Sequence, residues 1–139
     1  MPARTATLLA GLALGLAGCT GGSADGDFEG EEAAVAEAIA EFEASATRQE
    51  NAAEICRDSL SRELAERLDA DGTRCATEIR QAIADADLYD IEVVDVEVDG
   101  TNATAQARTS VGDQTTSATL MLVEEQGDWR VDGIRNTGG

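Results

Sequence analysis

Ile91-Glu92-Val93-Val94-Asp95-Val96-Glu97-Val98-Asp99-Gly100 alternates apolar and acidic residues. That period of two places valines on one face of a strand and carboxylates on the other. Asp99-Gly100 is a hairpin signal, and from Thr101 to Thr109 Ala103, Ala105 and Ala107 alternate with Asn102, Thr104, Gln106 and Arg108. The parity slips once, at Val93-Val94, which predicts a bulge that bends the sheet. Further turns at Gly112-Asp113 and Gln126-Gly127-Asp128 bound a third strand, Thr115 to Glu125, and a fourth, Trp129 to Ile134. The expectation is a four-stranded antiparallel meander.

Upstream the period is near four. Val35, Ile39, Phe42 and Ala46 share one face of a helix from Glu31 to Thr47, with Glu37, Glu41 and Glu43 off that face. Glu29, Glu31 and Glu32 sit where the helix dipole favours negative charge. A second helical stretch runs from about Asn51 to Leu68 on Ile55, Leu60, Leu64 and Leu68, with a break near Ser59 and Ser61, and Ser61 is placed to cap the restart. Asp69-Ala70-Asp71-Gly72 reads as a turn, followed by a third helix from Thr73 to Ala84 carrying Cys75, Ile79 and Ile83. Helices followed by a meander predict an α+β fold in which N-terminal helices pack on a curved four-stranded antiparallel sheet, giving a cone.

The chain has 139 residues, 28 Asp and Glu against ten basic residues that are all Arg, and a formal net charge of -18. The length suits one small domain. The charge repels phosphate backbones and anionic headgroups, so no nucleic-acid partner is expected, nor a membrane reached by charge attraction. With no histidine, a His-based triad or His-ligated metal is excluded. The acid excess keeps a tethered domain soluble.

At the front, Arg4 precedes an uncharged apolar run from Ala6 to Gly18, an export signal. As a helix it covers about 20 Å, short of the ~30 Å of a bilayer core, so it does not read as a lasting span. It ends in Leu16-Ala17-Gly18-Cys19, which resembles the bacterial prolipoprotein lipobox. The resemblance implies a signal peptide over residues 1–18, cleavage before Cys19, and acyl lipid on Cys19 that anchors the exported chain to the cell membrane, facing outside the cytoplasm. An ordinary secretory signal with an incidental Cys is the alternative. Stable anchoring takes more than one chain, at about 0.8 kcal/mol per buried CH₂. Residues 19–30 are then the lipidated Cys and a Gly-rich tether with a reach of roughly 15–20 Å, and residues 31–139 a single α+β domain.

With Cys19 lipidated, Cys56 and Cys75 remain, an even number in an exported chain, and are expected to pair. A loop of that length contributes roughly 3 kcal/mol in the chain-entropy view. A redox pair or a metal site is the other reading, but the spacing is far from Cys-x-x-Cys and two thiolates make a poor zinc site.

Three segments carry a family resemblance: Ile55-Cys56-Arg57-Asp58-Ser59-Leu60-Ser61-Arg62-Glu63-Leu64, Thr73-Arg74-Cys75-Ala76, and Gly127-Asp128-Trp129-Arg130-Val131-Asp132-Gly133-Ile134. In these the chain looks like small actinobacterial lipoproteins of the nuclear transport factor two-like superfamily, whose cystatin-like cone is shared with steroid isomerases and some lumazine-binding-like domains. The resemblance implies a cone closed by the last strand with Trp129 inside. Enzymes of that superfamily use an Asp or His base with Tyr or acid donors. Here there is no His, and Tyr89, the single Tyr, falls at the entry to the first strand.

The expected function is therefore a non-catalytic envelope module that binds a small apolar ligand or a partner protein, with Phe42, Tyr89 and Trp129 lining the pocket and no cofactor or metal. An isomerase or dehydratase of the same fold, or a structural, dimerising domain with a large apolar patch on its open sheet face, are the alternatives. Asp95-Val96-Glu97-Val98-Asp99-Gly100 imitates the start of a calcium loop but has Gln106 where a bidentate Glu is needed. Asn102-Ala103-Thr104 matches a glycosylation acceptor, incidental behind a bacterial lipobox. Arg108 and Arg130 read as outward ion-paired residues of the sheet, with an anion handle as the other possibility.

Overall fold

The computed structural model describes residues 27–48, 52–70, 74–85, 91–111 and 113–137. Helix α1 spans Gly30–Thr47 and short α2 spans Ala52–Glu54, running directly into a π-helical turn, Ile55–Ser59. Helices α3, Arg62–Ala70, and α4, Cys75–Asp85, follow. Strands β1 (Ile91–Asp99), β2 (Asn102–Val111), β3 (Gln114–Glu125) and β4 (Asp128–Asn136) form an antiparallel sheet in chain order. The fold is α+β, with helices on one face of the sheet. Cys19 and Tyr89 lie outside the described residues, as do residues 1–26 of the expected signal and tether.

The two expected periodicities build the core. Val35, Ile39, Phe42 and Ala46 on α1 are buried and face Ile91, Val93 and Val96 of β1 across the interior. In the middle of the sheet Ala105 pairs with Val96 on one side and Leu120 on the other, and Ala103 pairs with Leu122. The alanines of β2 are short between these longer neighbours, so the inner face is hollowed along its centre, and Val35, Ile39 and Phe42 complete the same cluster. The opposite face is polar: Thr104, Gln106, Arg108 and Ser117 are exposed, and Thr119 Oγ1 donates to Gln106 Oε1 across the strands. Among the described residues, the exposed large apolar side chains are Val94 and Ile134. Val94 lies on β1 and Ile134 on β4, at opposite edges of the sheet.

Turn chemistry sets the registers. Asp99 still pairs with Asn102, so the first loop is Gly100-Thr101 and not the expected Asp99-Gly100, with Gly100 at φ 61, a backbone that glycine adopts without strain. Glu125 pairs with Asp128 across Gln126-Gly127, both at positive φ, so Asp128 belongs to β4 and not to the turn. The bulge falls as expected, with Val93 opposite Ala107, Asp95 opposite Gln106 and Val94 unmatched and turned outward. A second bulge lies on β4, where Leu122 faces Val131, Met121 faces Gly133 and Asp132 is the extra residue.

That second bulge explains how the second helical stretch divides. Leu60 adopts extended backbone and bridges Val131 in parallel, and Ser61 N donates to the Val131 carbonyl at 2.8 Å, covering part of the outer edge of β4. Ser61 is fully buried. Its Oγ accepts from Leu64 N at 3.0 Å, capping α3, and donates to Asp132 Oδ1 at 2.5 Å. Helix α3 then continues through Asp69 and Ala70, which were expected in a turn, because Asp69 Oδ1 accepts from Cys75 N at 2.7 Å and so caps α4 from within α3. Ser61→Ala removes a cap and leaves Asp132 short of a donor, so it is expected to lower the urea-unfolding free energy by about 2 kcal/mol. Ser61→Thr, which keeps the hydroxyl, is the comparison, and a loss below about 0.5 kcal/mol for the alanine variant would show the contact to be idle.

Candidate functional site

The π-helical turn admits one more residue per turn than an α-helix, closed here by Leu60 N donating to the Ile55 carbonyl at 3.1 Å. Ile55 points into the core while Arg57 and Asp58 stay exposed. Because the next residues pair with Val131, Arg57 and Arg62 are carried beside the β3–β4 hairpin. Between them lies a cleft of about 250 Å³, walled by Cys56, Leu60 and Ala65 and edged by Arg57, Arg62, Glu125, Gln126 and Arg130.

Arg130 is the least ordinary of these. Its side chain is 19% exposed, and its Nη1 donates to the Arg57 carbonyl at 2.5 Å. Its Nε is buried without a hydrogen-bond partner. Glu125 Oε2 lies 3.9 Å away, near enough for charge attraction and too far for a hydrogen bond. Glu125 instead accepts from Arg62 N, at 3.0 and 3.3 Å, where its charge also suits the start of α3. Arg57 donates from Nε and Nη2 to both Asp58 oxygens, at 3.0 and 2.9 Å. Those hydrogen bonds hold the Asp58 carboxyl below its ordinary range and raise Arg57 further, but both groups are exposed and the pair adds little to stability. The guanidinium of Arg62 makes no ion pair among the described residues. Three guanidinium groups thus line the cleft, with the Glu125 carboxylate beside Arg130 and the Asp58 carboxylate paired to Arg57.

Two more features converge there. Gln126 adopts φ 57, a left-handed backbone that Gly or Asn takes at less cost, and is one of the residues that line the cleft. The Cys56 and Cys75 sulfurs are 2.07 Å apart, a disulfide that ties the cleft wall to the first residue of α4.

The other expected site residues fall elsewhere. Phe42 is 5% exposed within the core cluster, and Trp129 is half-buried and packed against that cluster. Asp95 and Glu97 are exposed ladder positions opposite Gln106 and Thr104, in a strand and not in a cation-binding loop. Arg108 pairs with Glu92 at 3.9 Å directly across the strands, the outward ion pair expected of it. Arg130 also has an acidic neighbour, but its burial and its open Nε go beyond that description. Arg57, Arg62, Glu125 and Gln126 had no sequence signal as a group. The nearest hints are two arginines astride the Ser59-Leu60-Ser61 break and a Gln in place of Asn before the hairpin glycine. In comparisons with known proteins, no family model, no curated protein and no solved structure matches this chain.

Proposed function

We propose that the chain is an exported, lipid-anchored, non-catalytic binding module of the cell envelope, a nuclear transport factor two-like cone held to the membrane through Cys19. Its ligand occupies the cleft between the π-helical turn and the β3–β4 hairpin. The observation that carries this reading is Arg130: a mostly buried guanidinium whose Nε has no hydrogen-bond partner lines an open cleft together with Arg57 and Arg62. Binding fits the cleft better than chemistry does. Guanidinium groups stay protonated and serve as donors, Cys56 is bonded to Cys75, and Glu125 is engaged by Arg62 N. Phe42 fills the interior between α1 and the sheet, which supports a ligand at the cleft over an apolar one inside the cone.

The test is native mass spectrometry of the full-length chain, extracted in mild detergent from its own host. A small-molecule adduct is expected on the wild-type chain and is lost from Arg130→Met and diminished in Arg62→Gln. A bare mass for the wild type, or an adduct indifferent to both substitutions, refutes the cleft as a binding site.

A further inference from the structure

We propose that Met121 is a modification site: hydrogen peroxide converts its thioether to the sulfoxide, and Arg135 holds the new oxygen. Neither residue lines the cleft, so the site stands whether or not the cleft binds a ligand.

Met121 is the one methionine beyond Met1, and strand parity decides which way it faces. Leu120 and Leu122 on either side of it are buried in the core, so Met121 lies half-buried on the polar face, between Thr104 of β2 and Gly133 of β4. It belongs neither to the core cluster nor to the residues packed against it. Its immediate surroundings are specific. A Cβ on Gly133 would fall 2.6 Å from Met121 Cε, so the methyl occupies the space that a side chain on β4 would take, and the glycine admits it. Arg135, exposed two residues beyond Gly133, places Nη2 3.6 Å from Met121 Sδ. Its guanidinium makes no ion pair among the described residues, although the chain has 28 acids for ten arginines. A strong cationic donor therefore rests against a weak acceptor.

Oxidation corrects that mismatch. The sulfur lone pair attacks one oxygen of hydrogen peroxide, and the O–O bond breaks as the S–O bond forms. The departing hydroxide takes the proton from the sulfur-bound oxygen and leaves as water; sulfur has given up two electrons and peroxide has gained them. The new oxygen is polar and accepts a charge-assisted hydrogen bond from Arg135 that is stronger than the contact to the thioether. Inside a core the same change sets a polar group among apolar neighbours and disrupts packing. Here the donor is already in place and the face is polar, so the sulfoxide is accommodated.

The test exposes the full-length chain in detergent micelles to millimolar hydrogen peroxide, stops the reaction with catalase, and reads peptide masses, the urea midpoint and the arginine Nε–H resonances by NMR. The peptide that carries Met121 is expected to gain one oxygen atom. Oxidation is expected to leave the wild-type midpoint in place and to shift the Arg135 resonance while that of Arg108 stays unmoved. In Arg135→Ala, an exposed position, oxidation is expected to lower the midpoint by roughly 0.5 M, because the new oxygen lacks its donor. Met121→Leu, treated in the same way, is expected to keep its midpoint, which assigns the effect to this sulfur. A Met121 thioether that survives a treatment converting free methionine completely overturns the proposal. So does a midpoint loss on oxidation that is the same in the wild type and in Arg135→Ala, or an Arg135 resonance indifferent to oxidation.

Discussion

Ile39→Ala is expected to lower the unfolding free energy by about 3–4 kcal/mol, a large share of the 5–15 kcal/mol that holds a domain of this size together. Ile39 has no exposed surface and lies midway along α1, in the cluster that joins α1 to the sheet. The usual relief for such a truncation is collapse of neighbours into the void, and here the neighbours are poorly suited to it. Ala103, Ala105 and Ala107 end at Cβ, and their strand is held from both sides by β1 and β3, so β2 has no long side chain to swing inward. The lost transfer energy is then accompanied by most of the cavity cost. Equilibrium urea unfolding followed by circular dichroism reads the effect as a midpoint shift of roughly 2 M at a typical slope for a small protein. Glu37→Ala, exposed on the same helix, is expected to stay within about 0.5 kcal/mol of the wild type. A cost for Ile39→Ala below about 1 kcal/mol would mean that α1 is not seated on the sheet in solution.

The same helix shows what a sequence reading reaches. The α1 stripe, the alternation in β1 and β2, the Val93-Val94 bulge and the Ser61 cap are all decided by residues within a few positions of one another, and each is where local chemistry puts it. The π-helical turn and the bulge at Asp132 are a different kind of feature. They exist because Leu60 and Ser61 pair with Val131, about seventy positions away, and each fits itself to the other. Trp129-Arg130-Val131-Asp132 alternates without a break, and the parity slips only beyond it, at Gly133-Ile134, which does not single out Asp132 as the extra residue. The cleft inherits that limitation. Its arginines belong to three elements and read individually as solvated charges; only the docking of the Leu60-Ser61 segment on the edge of β4 makes them neighbours. Arg108 and Arg130 looked alike in the sequence, each alternating with apolar residues. Their difference is that β2 is an inner strand with an open polar face, while β4 is an edge strand that another segment covers.

Removing the disulfide, as Cys56→Ser with Cys75→Ser, is expected to cost about 3 kcal/mol and to spend that loss unevenly. The bridge spans a sequence separation of 19, and the chain-entropy contribution of a loop that size applies whatever the bridge touches in the folded state. Its local effect depends on what else holds the bonded segments. Cys56 sits in the π-helical turn, whose neighbours Ile55 and Leu60 are buried in the core and whose end is tied to β4, so that side keeps other anchors. Cys75 begins α4, which packs chiefly on α2, α3 and the π-helical turn, and is its one buried residue among those described. Without the bridge, α4 retains the Asp69 cap and the partly buried Ile79. Amide exchange is therefore expected to quicken in α4 first and most, in the π-helical turn next, and in β2 and β3 only as far as global stability falls. The cleft shares a wall with this bridge, so its opening should follow α4, with the Arg130 Nε–H resonance broadening before the sheet amides lose protection. Uniform acceleration across helices and sheet would show that the bridge acts only on the unfolded chain. An unfolding free energy reduced by less than about 1 kcal/mol would show that neither the loop nor the docking of α4 depends on it.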